Sequence, residues 1–166
     1  FPGEIPKHSG LTSIINEAAD VCTAVLVNGH LNGSHLDWAV TGAFGDNLKD
    51  TAHNLAKGLD IAAEDLASLE ALGTYINYNG YGPAIEDLHF DPKDLYLKLY
   101  DAQGPLDFVH NSPDFEKLST GYREDMAMAE ALQPLHQKET SAVYSLPDQA
   151  WARRVSGVYS NDLATV

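Results

Sequence analysis

The stretch His35-Leu36-Asp37-Trp38-Ala39-Val40-Thr41-Gly42-Ala43-Phe44-Gly45-Asp46-Asn47 decides how the rest of the chain is read. Leu36, Ala39, Val40, Ala43 and Phe44 fall at i, i+3, i+4, i+7 and i+8, the spacing of one apolar face on an α-helix. Gly45-Asp46-Asn47 breaks that helix and leaves a carboxylate at its end. A buried helix thus delivers one acidic side chain to a defined point. Two roles are open to Asp46. It is a preferred N-cap residue for a next helix beginning near Leu48, or it is a ligand to a metal ion. The pattern alone favours the cap.

Working outward, Ser9 can cap a helix upstream. Leu11, Ile14, Ile15, Ala18, Ala19, Cys22, Val25 and Leu26 keep helical spacing and predict a helix ending by Asn28-Gly29. Cys22 lies on that face and reads as a buried, inert thiol. His30 to Ser34 is a loop, and Phe1 to Lys7 an extended lead-in with two prolines. Downstream, Leu48, Ala52, Leu55, Ala56 and Leu59 mark a third helix. Asp60 opens a fourth carried by Leu66, Leu69, Gly73 and Ile76. Asn77-Tyr78-Asn79-Gly80-Tyr81-Gly82-Pro83 is rich in turn formers and reads as a surface turn with its tyrosines packed over the core, its two asparagines and two tyrosines offering ligand contacts as the alternative.

Asp91-Pro92-Lys93-Asp94 and Ser112-Pro113-Asp114 both carry an N-cap, a proline in the first turn and a following carboxylate. The first starts a short helix through Leu95, Leu97 and Leu99. Leu106 to His110 adds a turn after Gly104-Pro105. The second starts a long helix striped with Phe115, Leu118, Tyr122, Met126, Ala129 and Leu132. Thr140 to Leu146 is the best strand in the chain. With no other strand evident, it predicts a sheet elsewhere and a C-terminal neighbour. Trp151, Val155 and Val158 share one side of a last helix, beside Arg153-Arg154, the only basic pair.

The 166 residues are enough for a packed core. Net charge is −14, from 24 acidic and 10 basic residues, which repels nucleic acid and anionic membranes. No apolar run is long enough to span a membrane. The lone Cys22 permits no intrachain disulfide and no cysteine-based zinc site, and it fits a cytoplasmic setting. The chain opens at Phe1, which reads as a piece cut from a longer protein or one that has lost a leader.

Seven histidines, His8, His30, His35, His53, His89, His110 and His136, show no ligand spacing on one helix and read as surface or capping residues. His35 and Asp46 stand roughly 16 Å apart at helical rise, too far for one ion. No phosphate-binding glycine loop and no nucleophile elbow is present.

The run Trp38-Ala39-Val40-Thr41-Gly42-Ala43-Phe44-Gly45-Asp46-Asn47 resembles the fourth motif of the DHH family phosphoesterases. Ser9-Gly10-Leu11-Thr12-Ser13 resembles the segment that follows that family's Asp-His-His motif. Tyr144 to Val158 resembles the entry into its C-terminal substrate-binding domain. The family's first motif, its second-motif aspartate, Asp-His-His itself and its glycine-rich phosphate motif are all absent here. The resemblance implies a mainly α fragment, residues 1–139 being the later half of an α/β doubly wound catalytic domain. Residues 140–166 would be a linker, a strand and a helix starting the C-terminal domain. It implies a two-metal hydrolase using Mn2+ or Mg2+ on phosphodiester or phosphoanhydride bonds, with Asp46 as a metal ligand. The substrate would be a small nucleotide, an oligonucleotide or polyphosphate, bound by the intact protein, with a homodimer among its expected states. The fragment alone would be inactive and bind no nucleic acid. The residues themselves leave a second reading, an acidic helical module that binds a partner protein without catalysis.

Overall fold

The structure is a computed structural model that describes residues 4–164. It is mainly helical, with eight α-helices and one two-stranded sheet among the described residues. The helices are α1 (Thr23–His30), α2 (Leu36–Gly45), α3 (Lys49–Ala56), α4 (Ala63–Tyr78), α5 (Pro92–Asp101), α6 (Pro105–Asn111), α7 (Pro113–Glu130) and α8 (Ala150–Ala164). A short 3-10 turn spans Ile85–Asp87. Of the lead-in, residues 1–3 lie outside the described residues, as do 165–166 at the other end; residues 4–7 are exposed and irregular. The chain forms two compact units, Phe1–Thr74 with Gly104–Leu106, and Tyr75–Gln103 with Asp107–Val166.

The first unit is built around α2. Val40, Ala43 and Phe44 bury fully, as their spacing requires, against Cys22, Ala52, Ala56 and Leu69. The Cys22 thiol is buried and unpaired, in line with its apolar position. Glycines on α2 set how closely its neighbours approach. A Cβ on Gly73 of α4 would lie 2.1 Å from the Thr41 carbonyl oxygen, and one on Gly45 would lie 2.8 Å from the Gly73 oxygen. The two helices therefore touch backbone to backbone, which only glycine permits. Gly45 is thus a packing residue as well as the end of a helix.

The predicted helix over Leu11–Leu26 is formed only from Thr23. Residues 4–20 are exposed, and Leu11, Ile14 and Ile15 have no core to cover. β-Branched Thr12, Ile14 and Ile15 disfavour helix. Local bonds take its place: the Ala18 N–H donates to Asn16 Oδ1 at 2.9 Å, and the Gly10 N–H to His8 Nδ1 at 3.0 Å.

In the second unit, α7 packs on α8 through Met126, Ala129, Val155 and Tyr159, with Tyr122, Tyr144, Leu146, Trp151 and Val158 around them. Both cap-plus-proline signatures hold. The Asp91 carboxylate accepts from the Lys93 N–H at 2.8 Å, and Ser112 Oγ from the Asp114 N–H at 3.2 Å. The strand is shorter than expected, Ser141–Val143, and it does have a partner in the chain. His136–Lys138 pairs with it antiparallel, His136 opposite Val143 and Lys138 opposite Ser141. A polar His-Gln-Lys run carries no strand pattern, so periodicity missed it.

Candidate functional site

Asp46 is exposed at the C-terminal end of α2. It does not cap α3, whose N-cap position is Leu48 and carries no side-chain cap bond. The local backbone explains the difference. Asn47 adopts φ +58° and donates its N–H to the Phe44 carbonyl at 2.9 Å, while the Leu48 N–H reaches the Ala43 carbonyl at 2.8 Å. That pair of bonds is a Schellman motif, with asparagine taking the left-handed position usually held by glycine. Asp46 is the C-cap residue of this motif. Its N–H closes on the Gly42 carbonyl at 3.0 Å. The sequence assigned its backbone to the wrong helix end because Asp is more often an N-cap than a C-cap.

The histidines are scattered. His35 stands before α2 and donates its N–H to Asn28 Oδ1 at 3.0 Å. His53 meets the Phe44 ring edge-on, centroids 5.3 Å apart. His8 bonds locally, and His136 lies on an exposed strand. Among the described residues no group of three or more His, Cys, Asp or Glu side chains is arranged to hold a metal ion.

The densest polar cluster belongs to the second unit and centres on Asp125 of α7, buried at 2 % exposure. Tyr78 at the end of α4 donates its hydroxyl to Oδ2 at 2.7 Å. His89 brings Nε2 within 3.1 Å of the same oxygen. Arg154 of α8 donates Nε to Oδ2 at 2.6 Å and Nη2 to Oδ1 at 2.7 Å, a bidentate grip. Its Nη1 donates to the Asp87 carbonyl. Arg153 holds the Asp87 carboxylate in the same manner, at 2.9 and 2.5 Å, and reaches Asp148 at 2.5 Å. The His89 ring fits because residue 121 of α7 is glycine: a Cβ there would lie 2.5 Å from it. Asn79, also buried, exchanges two hydrogen bonds with the Phe90 main chain, at 2.9 and 3.0 Å.

Burial pushes the Asp125 carboxyl up, but hydrogen bonds from His89, Arg154 and Tyr78 outweigh it and hold the group well below the carboxylate range. Burial, then the bond to Asp125, pushes the Tyr78 phenol far above its ordinary value. Bonding to Arg153 lowers Asp87. A catalytic carboxylate needs an open lone pair and a proton affinity near working pH. Asp125 has neither, since four donors fill it. The arrangement ties α7, α8, the 3-10 turn and the end of α4 together. Tyr78 packs over the core as its turn-rich segment predicts, whereas the sequence predicts Asn79 in a surface turn and His89 as a surface or capping residue. All three are held inside this unit, because the polar partners that bury them lie 36 to 47 residues away or come from the Phe90 backbone. The one available signal was Arg153-Arg154, two adjacent arginines in a chain holding only three.

One surface stands apart. On α5 only Leu95 is buried, while Tyr96, Leu97 and Tyr100 are 61, 47 and 73 % exposed. The two tyrosine rings sit side by side with centroids 6.0 Å apart. Exposed Asp94 and Asp101 belong to the same helix. Lys98 is occupied with Asp114 of α7 at 2.8 Å.

No family model, no curated protein and no solved structure matches the chain. No helix among the described residues is long and apolar enough to cross a membrane.

Proposed function

We propose that the chain is an acidic helical binding module whose α5 face receives a basic segment of a partner protein. The observation that carries this is the exposed Tyr96–Leu97–Tyr100 face between Asp94 and Asp101. Contiguous aromatic exposure marks interaction surfaces, and tyrosine rings take arginine in cation–π contact. The charge balance supports it. All three arginines, with Lys49 and Lys98, are engaged by carboxylates of the chain itself, so the net charge of −14 is left to the surface. The test is the anisotropy of a labelled arginine-rich peptide, titrated against the chain at low and high salt. Binding should weaken with salt and be lost in the Tyr96→Ser/Tyr100→Ser variant. Equal binding by that variant overturns the assignment of the face.

A second reading has its own support. The Asp46 side chain is exposed at the carbonyl end of a buried helix, where partial negative charge favours a cation, and it is not spent on capping α3. With the resemblance of Trp38–Asn47 to the DHH motif, this supports a part of a doubly wound, Mn2+- or Mg2+-dependent phosphoesterase acting on nucleotides, oligonucleotides or polyphosphate. Two or more further protein ligands per metal would come from residues beyond these. In a protein that supplies them, Asp46→Asn should abolish metal-dependent hydrolysis; unchanged hydrolysis rules Asp46 out.

A further inference from the structure

We propose that Asn32 is a site of N-linked glycosylation. Asn32-Gly33-Ser34 is the one Asn-x-Ser/Thr triplet without a central proline in the 166 residues. The fold places it where a bulky sugar is tolerated. Asn32 follows α1 in the left-handed conformation, φ +55°, and is exposed. Its own N–H donates to the Gly29 carbonyl at 3.1 Å, and the Gly33 N–H to the Asn28 carbonyl at 2.8 Å. These two bonds complete a second Schellman motif, so the main chain is held while the side chain leaves the surface. The Asn32 amide makes no hydrogen bond among the described residues, and the ground over Gly33 is open, with nothing within 4 Å of a Cβ built there. Ser34 is exposed beside it.

Two other asparagines are placed differently. Asn28 and Asn79 are 8 and 2 % exposed, and their amides are committed to the His35 and Phe90 backbones. Exposed Val27 and Leu31 flank the Asn32 turn, and a sugar there would shield them.

The donor class is an oligosaccharide on a lipid pyrophosphate. The Asn32 side-chain nitrogen forms a bond to the anomeric carbon, the carbon–oxygen bond to pyrophosphate breaks, the lipid pyrophosphate leaves, and the amide gives one proton to the transferring enzyme. No oxidation state changes. The modification places the chain in the secretory lumen rather than the cytoplasm. The cytoplasmic expectation rests on Cys22, whose thiol is buried.

The test has two arms. Glycopeptide mass spectrometry of the protein from its own source should find hexosamine-linked sugar on Asn32; a fully unmodified residue 32 overturns the proposal. Translation into microsomes behind a cleavable leader should add one glycan that peptide-N-glycosidase removes, converting residue 32 to aspartate. Asn32→Gln and Ser34→Ala should lose that glycan, and Ser34→Thr should keep it. A glycan that persists in Asn32→Gln, or a glycosylated chain that melts well below the unmodified one, also overturns it.

Discussion

Arg154 grips Asp125 through two nitrogens, Nε to Oδ2 at 2.6 Å and Nη2 to Oδ1 at 2.7 Å, and so fastens α8 to α7 in the interior of the second unit. Removing one partner of such a buried pair leaves the other charged and dry, which costs about 3–5 kcal/mol. Asp125→Ala should therefore shift the urea midpoint strongly downward. A midpoint within error of the parent would mean that Arg154 finds water instead.

The same carboxylate predicts an acid limb. The folded-state pKa of Asp125 is held below its unfolded value, so its stabilisation is complete above the unfolded pKa of about 4 and is lost as pH falls. Thermal melts should decline steadily below that pH, and the decline should flatten in Asp125→Asn. An identical slope in the variant would assign acid sensitivity to other carboxylates.

Gly73 and Gly45 make the opposite kind of contact, with no side chain at all. Gly73→Ala forces a Cβ to within 2.1 Å of the Thr41 carbonyl, where only backbone movement can relieve it. Overpacking of this kind costs about 1–3 kcal/mol or more. Gly29→Ala in α1 meets nothing within 4 Å and should gain about 0.5–1 kcal/mol from helix propensity. Calorimetry of the two variants should show melting shifts of opposite sign.

Asn79 stitches the end of α4 to Phe90 by two main-chain bonds. Asn79→Ala leaves a buried N–H and a buried carbonyl without partners, a loss of about 1–3 kcal/mol. Hydrogen exchange at the Phe90 amide should accelerate in this variant ahead of the rest of the unit.

Tyr96 and Tyr100 should behave differently from all of these. They face solvent, so Tyr96→Ser/Tyr100→Ser should change stability by no more than about 0.5 kcal/mol. A large loss in the denaturation curve would show that the tyrosines support the fold rather than a partner.

Local chemistry was legible wherever a signal was complete within a few residues. The apolar face of α2, the caps and prolines that open α5 and α7, and the burial of Cys22 all follow from spacing and from side chains that bond their own backbone. Two local readings failed because a competing local rule won. Asn47 supplied the left-handed residue that ends α2 where Asp46 had suggested an N-cap, and β-branched residues undid the part of the expected Leu11–Leu26 helix that precedes Thr23.

The sequence by itself determined a mainly helical, strongly acidic chain and the starts of its best-capped helices, because those depend on neighbours one to four residues away. Only the tertiary structure decided that Gly45 is a contact for Gly73, that His136–Lys138 is a strand, and that Tyr78, His89 and Arg154 converge on Asp125. Those relations join residues separated by up to tens of positions. A buried charge and its partner leave no periodic trace, since each is chosen by the other across space rather than by the residues beside it.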